Sequence, residues 1–542
     1  MSLSISFSTL YHHLPPPAVA RLATRERKKH PPPSIPYQIS KELPQLALSS
    51  SSSPAICSQL QCQHFQSCSG CTHEWNMDRP PVVEDISGFF KFHGVSDFTF
   101  ESGLLWEWRC RAKLVVRGTP EDPLIGLYEE GTHNVVDIPL CRAHHPRINS
   151  VVNLLKQGIT SLNIFPYNED EGTGELRYVQ MTMTTQNTSL PYAERYQNGR
   201  VQVALVWNSR NEKSQSSEKL NSLSNYLWEK GGDKSNLHLV HSVWANFQTS
   251  TNNIIFGNRW RHLLGEVDFW QRLGGVDISL APSSFCQANT QAFDSLLRKI
   301  QKYVPYGTSV VDLYAGVGII GLSVAVTRKC RSVKCVEINK ESRLSFQKSL
   351  SRLPKNIDSN ISWHHADASI DSVHWLEGSD VVIVDPPRKG LNRSLVEALK
   401  NTSIAHKKTV SMGRSSLTEV KDEKRPWILR ARESTVHIDS KSNWEMTQSW
   451  PHTLIYISCG WESFKEDCKM LLSCQAWHLE KAHAFNFFPG TQSIEILAVF
   501  KRGPRISSSK KKKSSKKKKV HKRKGPKDHV AVAPISLDTS TP

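Results

Sequence analysis

Two residues in this chain are candidates for making and breaking bonds. In LIYISCGWESFKED, Cys459 stands just past the end of a hydrophobic run that predicts a strand. A cysteine on the loop edge of a sheet can serve as a nucleophile, because a thiol is partly ionised near neutral pH and the bond it forms can break again. The alternative is a buried strand-end cysteine with a packing role. In FNFFPGTQSIEILAVF, Glu495 lies between Ile494 and Ile496. A carboxylate in an apolar strand is costly to bury unless paired or functional. With a raised pKa it could act as a base, the alternative being an edge-strand glutamate that faces water.

Three further segments carry binding chemistry. In VVDLYAGVGIIGL a hydrophobic strand runs into Asp312, Tyr314, Gly316 and Gly318 and then into a helix. Glycines there let the backbone approach a ligand, and no Gly-Lys-Ser/Thr follows, so it is not a phosphate loop. Glu337 ends the next strand, where an acid can accept both hydroxyls of a ribose, and Asp367 follows the strand after that, placed for an adenine edge. This order looks like S-adenosylmethionine binding in Rossmann-like methyltransferases. In DVVIVDPPRKGL, Asp385 ends a buried strand and Pro386-Pro387 set an extended loop without N–H donors. It resembles the substrate-side loop of nucleic-acid methyltransferases. Arg388 stands where those acting on exocyclic amines carry an aromatic residue, which points away from amine methylation. Finally, Cys62, Cys68 and Cys71, with Cys141 as the best fourth member and Cys57 as its competitor, form a possible four-thiolate set. Such a set suits zinc or an iron–sulfur cluster. The spacing is not the paired C-x2-C of structural zinc and favours the cluster.

These residues need a scaffold, and the pattern along the chain supplies one. Residues 1–56 are Pro- and Ser-rich and carry no fold signal. The Cys-rich region spans 57–97 and includes one short helix at 80–94. Short alternating strands over 98–265 predict an antiparallel domain. In RCRAKLVVR one face holds Cys110, Ala112, Leu114 and Val116, and the other holds Arg109, Arg111, Lys113 and Arg117. The stretches Asn187–Arg200 and Ser209–Ser235 read as polar loops. Strands alternate with helices over 266–502, which predicts a parallel sheet closed by a terminal antiparallel hairpin. Residues 403–450 read as an insertion in it, and 503–542 as a disordered Lys-rich tail.

Composition bounds the class. The chain of 542 residues has a net charge of +19, of which the last 42 residues contribute +13 and the first 56 contribute +4. The body is therefore nearly neutral, and any polyanion surface there must come from charge placement. Twelve cysteines are too few for a disulfide scaffold. No apolar run reaches the roughly 18 residues of a membrane span. The acid-poor, Ser- and Arg-containing start reads as an organelle transit peptide, chloroplast ahead of mitochondrion. The Lys tail is an RNA tether or a nuclear or nucleolar address.

On these segments the chain resembles the bacterial-type RNA uracil-C5 methyltransferases, in their iron–sulfur-containing branch. The family's F-x-Q-x-N appears as Phe285-Cys286-Gln287-Ala288-Asn289, its D-L-Y/F-x-G-x-G as Asp312 to Gly318, and its D-P-P-R-x-G as Asp385 to Gly390. Its S-C-N-P appears as Ser458-Cys459-Gly460-Trp461, and its F-D-x-F-P-x-T-x-H-V-E as Phe485 to Glu495. The resemblance implies a Rossmann-like S-adenosylmethionine methyltransferase domain, α/β in class, preceded by an antiparallel β-rich RNA-binding domain. It implies methylation of uridine C5 in a structured ribosomal or transfer RNA by a monomer, with no membrane partner. Cys459 would add to carbon 6 and Glu495 would take the carbon-5 proton. Gln287, Tyr314, Gly316, Gly318, Glu337, Asp367 and Asp385 would hold the cofactor, and Cys62, Cys68, Cys71 and Cys141 a 4Fe–4S cluster, with zinc as the alternative. The chain departs from the family at Gly460-Trp461, at Asn486 in place of Asp and at Ser493 in place of His. A catalytically weakened RNA-binding or assembly factor of the same fold is the competing reading. A zinc-stabilised methyltransferase acting on cytosine or protein is a more distant one.

Overall fold

In the computed structural model the residues described are 58–505, apart from 186, 198, 211, 215, 233–237, 253, 358, 402–449 and 474. The expected transit segment, Cys57, nearly all of the expected insertion and nearly all of the Lys-rich tail lie outside them. No helix among the described residues is long and apolar enough to cross a membrane.

Strand β1 (Thr99–Ser102) is followed by a seven-stranded sheet of β2 (Arg111–Gly118), β3 (Pro123–Tyr128), β4 (Val135–Asp137), β5 (Leu176–Met183), β6 (Val201–Trp207), β7 (Val240–Phe247) and β8 (Arg259–Gly265), in the order β4-β3-β2-β5-β6-β7-β8. Every neighbouring pair is antiparallel except β6 and β7. That parallel pair needs a crossover, and helix Ser217–Lys230 provides it within the stretch expected to be a polar loop. The surrounding Ser, Asn and Lys hid an apolar stripe of Leu220, Leu223 and Leu227, which the helix buries. Helix Pro146–Ser161, unmarked in the sequence reading, lies beside it: a Cβ on Gly158 would come within 2.9 Å of Leu223. Both helices cover the face that carries Cys110, Ala112, Leu114 and Val116.

The other face of β2 is not the open basic surface that its alternation suggested. Arg111 is 8% exposed and donates to Gln180 Oε1 (2.9 Å) and to the carbonyl of Pro282 (3.1 Å), so the segment leading into the cofactor domain packs over it. Lys113 lies over the Phe256 ring at 4.7 Å, and burial pushes its ammonium down to about 7.

A small hairpin, β9 (Trp270–Leu273) and β10 (Val276–Ser279), leads to the second large sheet. Its strands are β11 (Ser309–Leu313), β12 (Ser332–Glu337), β13 (Asn360–His365), β14 (Val381–Val384), β15 (Thr453–Ser458), β16 (Trp477–Asn486) and β17 (Glu495–Arg502), with β1 added. The order is β1-β16-β17-β15-β14-β11-β12-β13. Strands β13, β12, β11, β14 and β15 are parallel, and β17 inserts antiparallel between β15 and β16. The sequence pattern predicts that the antiparallel domain starts at Phe98. Instead β1 pairs parallel with β16, from Thr99 opposite His483 to Ser102 opposite Asn486. Helix Val82–Phe92 buries Val83, Ile86 and Phe90 in this sheet's core as well. A four-residue strand gives too little alternation to show which sheet it joins.

Candidate active site

The strand directions gather the sequence-selected residues at one edge. Asp385, Glu337 and Cys459 each end, or directly follow, a parallel strand at its carboxyl end. Because β17 is antiparallel, its first residue, Glu495, reaches the same edge. Ser458 pairs with Ile496, so the next step of the register sets Cys459 across from Glu495, and Glu495 also pairs with Phe485 of β16. Glu495 is 3% exposed, which excludes the water-facing reading.

The electrostatics follow from this crowding. Burial, and after it Glu495 and Asp385, push the Cys459 thiol up to about 12, with Arg388 opposing them. Glu495 is held well above the usual carboxylate range by burial and then by Asp385, again with Arg388 opposing. Burial raises Asp385 to about 7. Two carboxylates in one desolvated site cannot both ionise cheaply, so they favour sharing a proton. The edge therefore offers a thiol, an acid pair able to take up a proton, and one guanidinium.

The loop after Cys459 is built around its departure from the family sequence. A Cβ on Gly460 would sit 2.3 Å from the carbonyl oxygen of Arg388, closer than any side chain permits. Ser463 Oγ donates to that same carbonyl at 2.6 Å. Trp461 Nε1 donates to Asp85 at 2.6 Å, and its ring meets Phe89 edge-on at 5.2 Å. Gly460 and Trp461 thus seat the 385–390 loop and helix Val82–Phe92 against helix Trp461–Leu472. Asn486 is equally specific: it is fully buried and donates to the Met77 carbonyl at 2.7 Å and to Ser102 Oγ at 3.1 Å. Aspartate would face that carbonyl with acceptors only.

The glycine turn is placed beside Glu337. One Glu337 oxygen accepts from Gly316 N at 2.8 Å and the other from Asn339 N at 2.7 Å. Tyr314 has φ +65°, a strained left-handed conformation for a bulky residue, and Gly318 has φ +81° with a Cβ position only 2.5 Å from Phe346. Asp367 accepts from Ser369 N at 2.8 Å. Ile338 and Ile370, near these two acids in sequence, are exposed. Gln287 is half-buried, and its segment is pinned at both sides: Asn289 Nδ2 donates to Phe487 O at 3.1 Å, and Cys110 N donates to Ala288 O at 2.7 Å. The sequence reading did not single out Asp312 as a site residue. It is fully buried and accepts from Gly321 N at 2.9 Å, and burial, with Asp385 and Glu337, lifts it to about 8. A carboxylate inside an otherwise apolar strand was the available signal.

Cys62, Cys68, Cys71 and Cys141 are free and half-buried. Burial raises Cys71 to about 12, with Cys141, Cys68 and Cys62 each adding to the shift, and raises Cys68 to about 11. Thr72 N and His73 N both donate to Gly490 O, at 2.8 and 3.0 Å, and a Cβ on Gly490 would stand 3.5 Å from Cys71 Sγ. Two nearby ring nitrogens, His73 Nε2 and Trp108 Nε1, are buried without a hydrogen-bond partner. Four thiols with spare donors around them have the chemistry of a thiolate ligand shell. Among the described residues no group of three or more His, Cys, Asp or Glu closes tightly enough to hold a single metal ion.

Comparison with known proteins places this arrangement. A family model described as conserved hypothetical protein 95 matches residues 289–438. An uncharacterized RNA methyltransferase of Protochlamydia amoebophila is 35% identical over 82% of this chain and 98% of its own. A 23S rRNA (uracil(747)-C(5))-methyltransferase of Yersinia pestis is 25% identical over 72% of this chain and 84% of its own. Among solved structures, Pyrococcus abyssi tRNA (uracil-54, C5)-methyltransferase in complex with S-adenosyl-L-homocysteine shares the fold, with a TM-score of 0.52 and 22% identity over 77% of this chain and 81% of that one. The glycine turn, the acids along the carboxyl edge and the near full-length match to an RNA methyltransferase converge, and the chain belongs to the RNA methyltransferase family.

Proposed function

We propose that this protein methylates carbon 5 of a uridine in a structured ribosomal or transfer RNA, through a covalent adduct on Cys459. The observation that carries this reading is that Cys459 and Glu495 lie one step beyond the Ser458–Ile496 pair of β15 and β17, with Glu495, Asp385 and Arg388 all acting on the thiol. Carbon 5 of uracil is a poor nucleophile. Once the Cys459 thiol has lost its proton to solvent, the thiolate bonds to carbon 6 and the electrons of the carbon 5–carbon 6 double bond move to carbon 5. Carbon 5 then takes a methyl group, which S-adenosylmethionine supplies as its sulfonium–methyl bond breaks. Glu495, held in a desolvated acid pair, removes the carbon-5 proton, and the electrons freed from that bond expel the Cys459 thiolate. The target base must leave its stack to reach this edge. In the same reading Glu337 holds the ribose and Asp367 the adenine edge. Tyr314, Gly316, Gly318, Gln287 and Asp385 complete the cofactor site, with Ile338 offering an apolar surface.

Cys62, Cys68, Cys71 and Cys141 would bind a 4Fe–4S cluster, whose role there would be to tie the Cys-rich segment to the sheets. The spacing of Cys62, Cys68 and Cys71, which lacks the paired C-x2-C of structural zinc, supports a cluster over a single zinc ion. The N-terminal segment is proposed as a chloroplast transit peptide.

The test separates the two catalytic residues. Glu495→Gln should stall after methyl transfer and hold methylated RNA on the protein through denaturing electrophoresis. Cys459→Ala should bind RNA but give neither adduct nor 5-methyluridine. Wild type should form the same adduct with 5-fluorouridine RNA. Normal turnover by Glu495→Gln removes the base assignment, and methylation by Cys459→Ala removes the mechanism.

A further inference from the structure

Arg109 is a half-buried cation without a carboxylate. Its charge interacts with Cys141, Cys71 and Cys68, and with no acid among the described residues. Its backbone is fixed to the loop that carries Cys141: Arg109 N donates to Ala143 O at 2.8 Å, and His145 N donates to Arg109 O at 3.0 Å. Its guanidinium lies over the rings of Trp108 (4.7 Å) and Phe488 (6.0 Å). Those two rings meet edge-on at 5.7 Å, and Phe488 begins the turn that reaches Cys71 through Gly490.

Among the described residues a guanidinium placed this way has no anionic partner while the sulfurs are protonated. It has one when they are thiolates. Four thiolates outweigh the positive charge of an iron–sulfur core, so the assembled group is anionic and becomes more so on taking an electron. We propose that Arg109 is the counter-ion of the thiolate cluster and raises its reduction potential, an inference that rests on the cluster reading above. Hydrogen bonding and charge near the sulfurs are among the means by which a protein sets this potential.

The experiment compares full-length wild type with Arg109→Gln, Arg109→Leu and Arg109→Lys, purified without oxygen. Iron and sulfide content are measured, and the midpoint potential is found by dithionite titration followed by electron paramagnetic resonance. Arg109→Gln and Arg109→Leu should make one-electron reduction at least tenfold less favourable, a fall of 59 mV or more. Arg109→Lys, which keeps the charge, should stay close to wild type. Failure of the two neutral variants to assemble a cluster that Arg109→Lys retains also supports the counter-ion role. Loaded neutral variants with the wild-type potential overturn it, as does loss of the cluster in all three variants, which would make the role one of packing. Colourless, iron-free wild type overturns the cluster reading itself.

Discussion

Replacing Asn486 by Asp restores the family's residue and should nonetheless destabilise this protein. The side chain is fully buried, and its amide donates to the Met77 carbonyl and to Ser102 Oγ. It thereby ties the Cys-rich segment and β1 to the end of β16. Ionised aspartate has no donor and sets a buried charge against a carbonyl oxygen. Protonated aspartate keeps one donor, but holding that proton at pH 7 against an unfolded-state value near 3.9 costs about 4 kcal/mol, three pH units at about 1.4 kcal/mol each. The lost second donor costs about 1 kcal/mol in either state, so it sets the floor, and protonation caps the penalty at about 5 kcal/mol at pH 7. The folded-state carboxyl is thus raised above its unfolded value. The penalty is full above the raised value and shrinks as the pH falls toward 3.9, by about 1.4 kcal/mol per unit. Urea unfolding of wild type and Asn486→Asp at intervals from pH 5 to pH 8 reads this directly. Equal midpoints at pH 8, or a penalty that grows with acidity, would refute the reasoning.

Two other expectations concern the carboxyl edge. Burial and the neighbouring acids hold the Cys459 thiol near 12 in the free protein, so its alkylation by iodoacetamide, followed by mass spectrometry of the Cys459 peptide, should rise about tenfold per pH unit from pH 7 to pH 10; a plateau near pH 8 would show a thiolate already formed. Glu337→Ala removes the acceptor for Gly316 N and Asn339 N along with the proposed ribose contact, and should weaken S-adenosylmethionine binding by roughly 1.5–3 kcal/mol in calorimetry; unchanged affinity would place the cofactor elsewhere.

The sequence alone determined the candidate site residues and the parallel strands of the second sheet, because both are written locally. Alternation of hydrophobic strands with helices specifies a parallel sheet. The residues that matter sit at strand ends, where a single polar residue interrupts an apolar run, as Asp385, Cys459 and Glu495 do. Tertiary structure decided what depends on partners distant in the chain. Strand β1 is four residues long, and only its pairing with β16, some 380 residues away, gives it a place. The helix at Ser217–Lys230 is marked by three leucines among polar residues, and their meaning depends on the sheet that buries them. The departures from the family pattern looked like losses in the sequence. In the fold, Gly460 is the one residue that fits against the Arg388 carbonyl, and Asn486 is a donor answering the Met77 carbonyl. Arg109 alternates with Cys110 like any surface residue of a strand, yet its charge meets three thiols, Cys68, Cys71 and Cys141, supplied by two other segments. Close packing and buried hydrogen bonds set such preferences, and they exist only once remote segments have met.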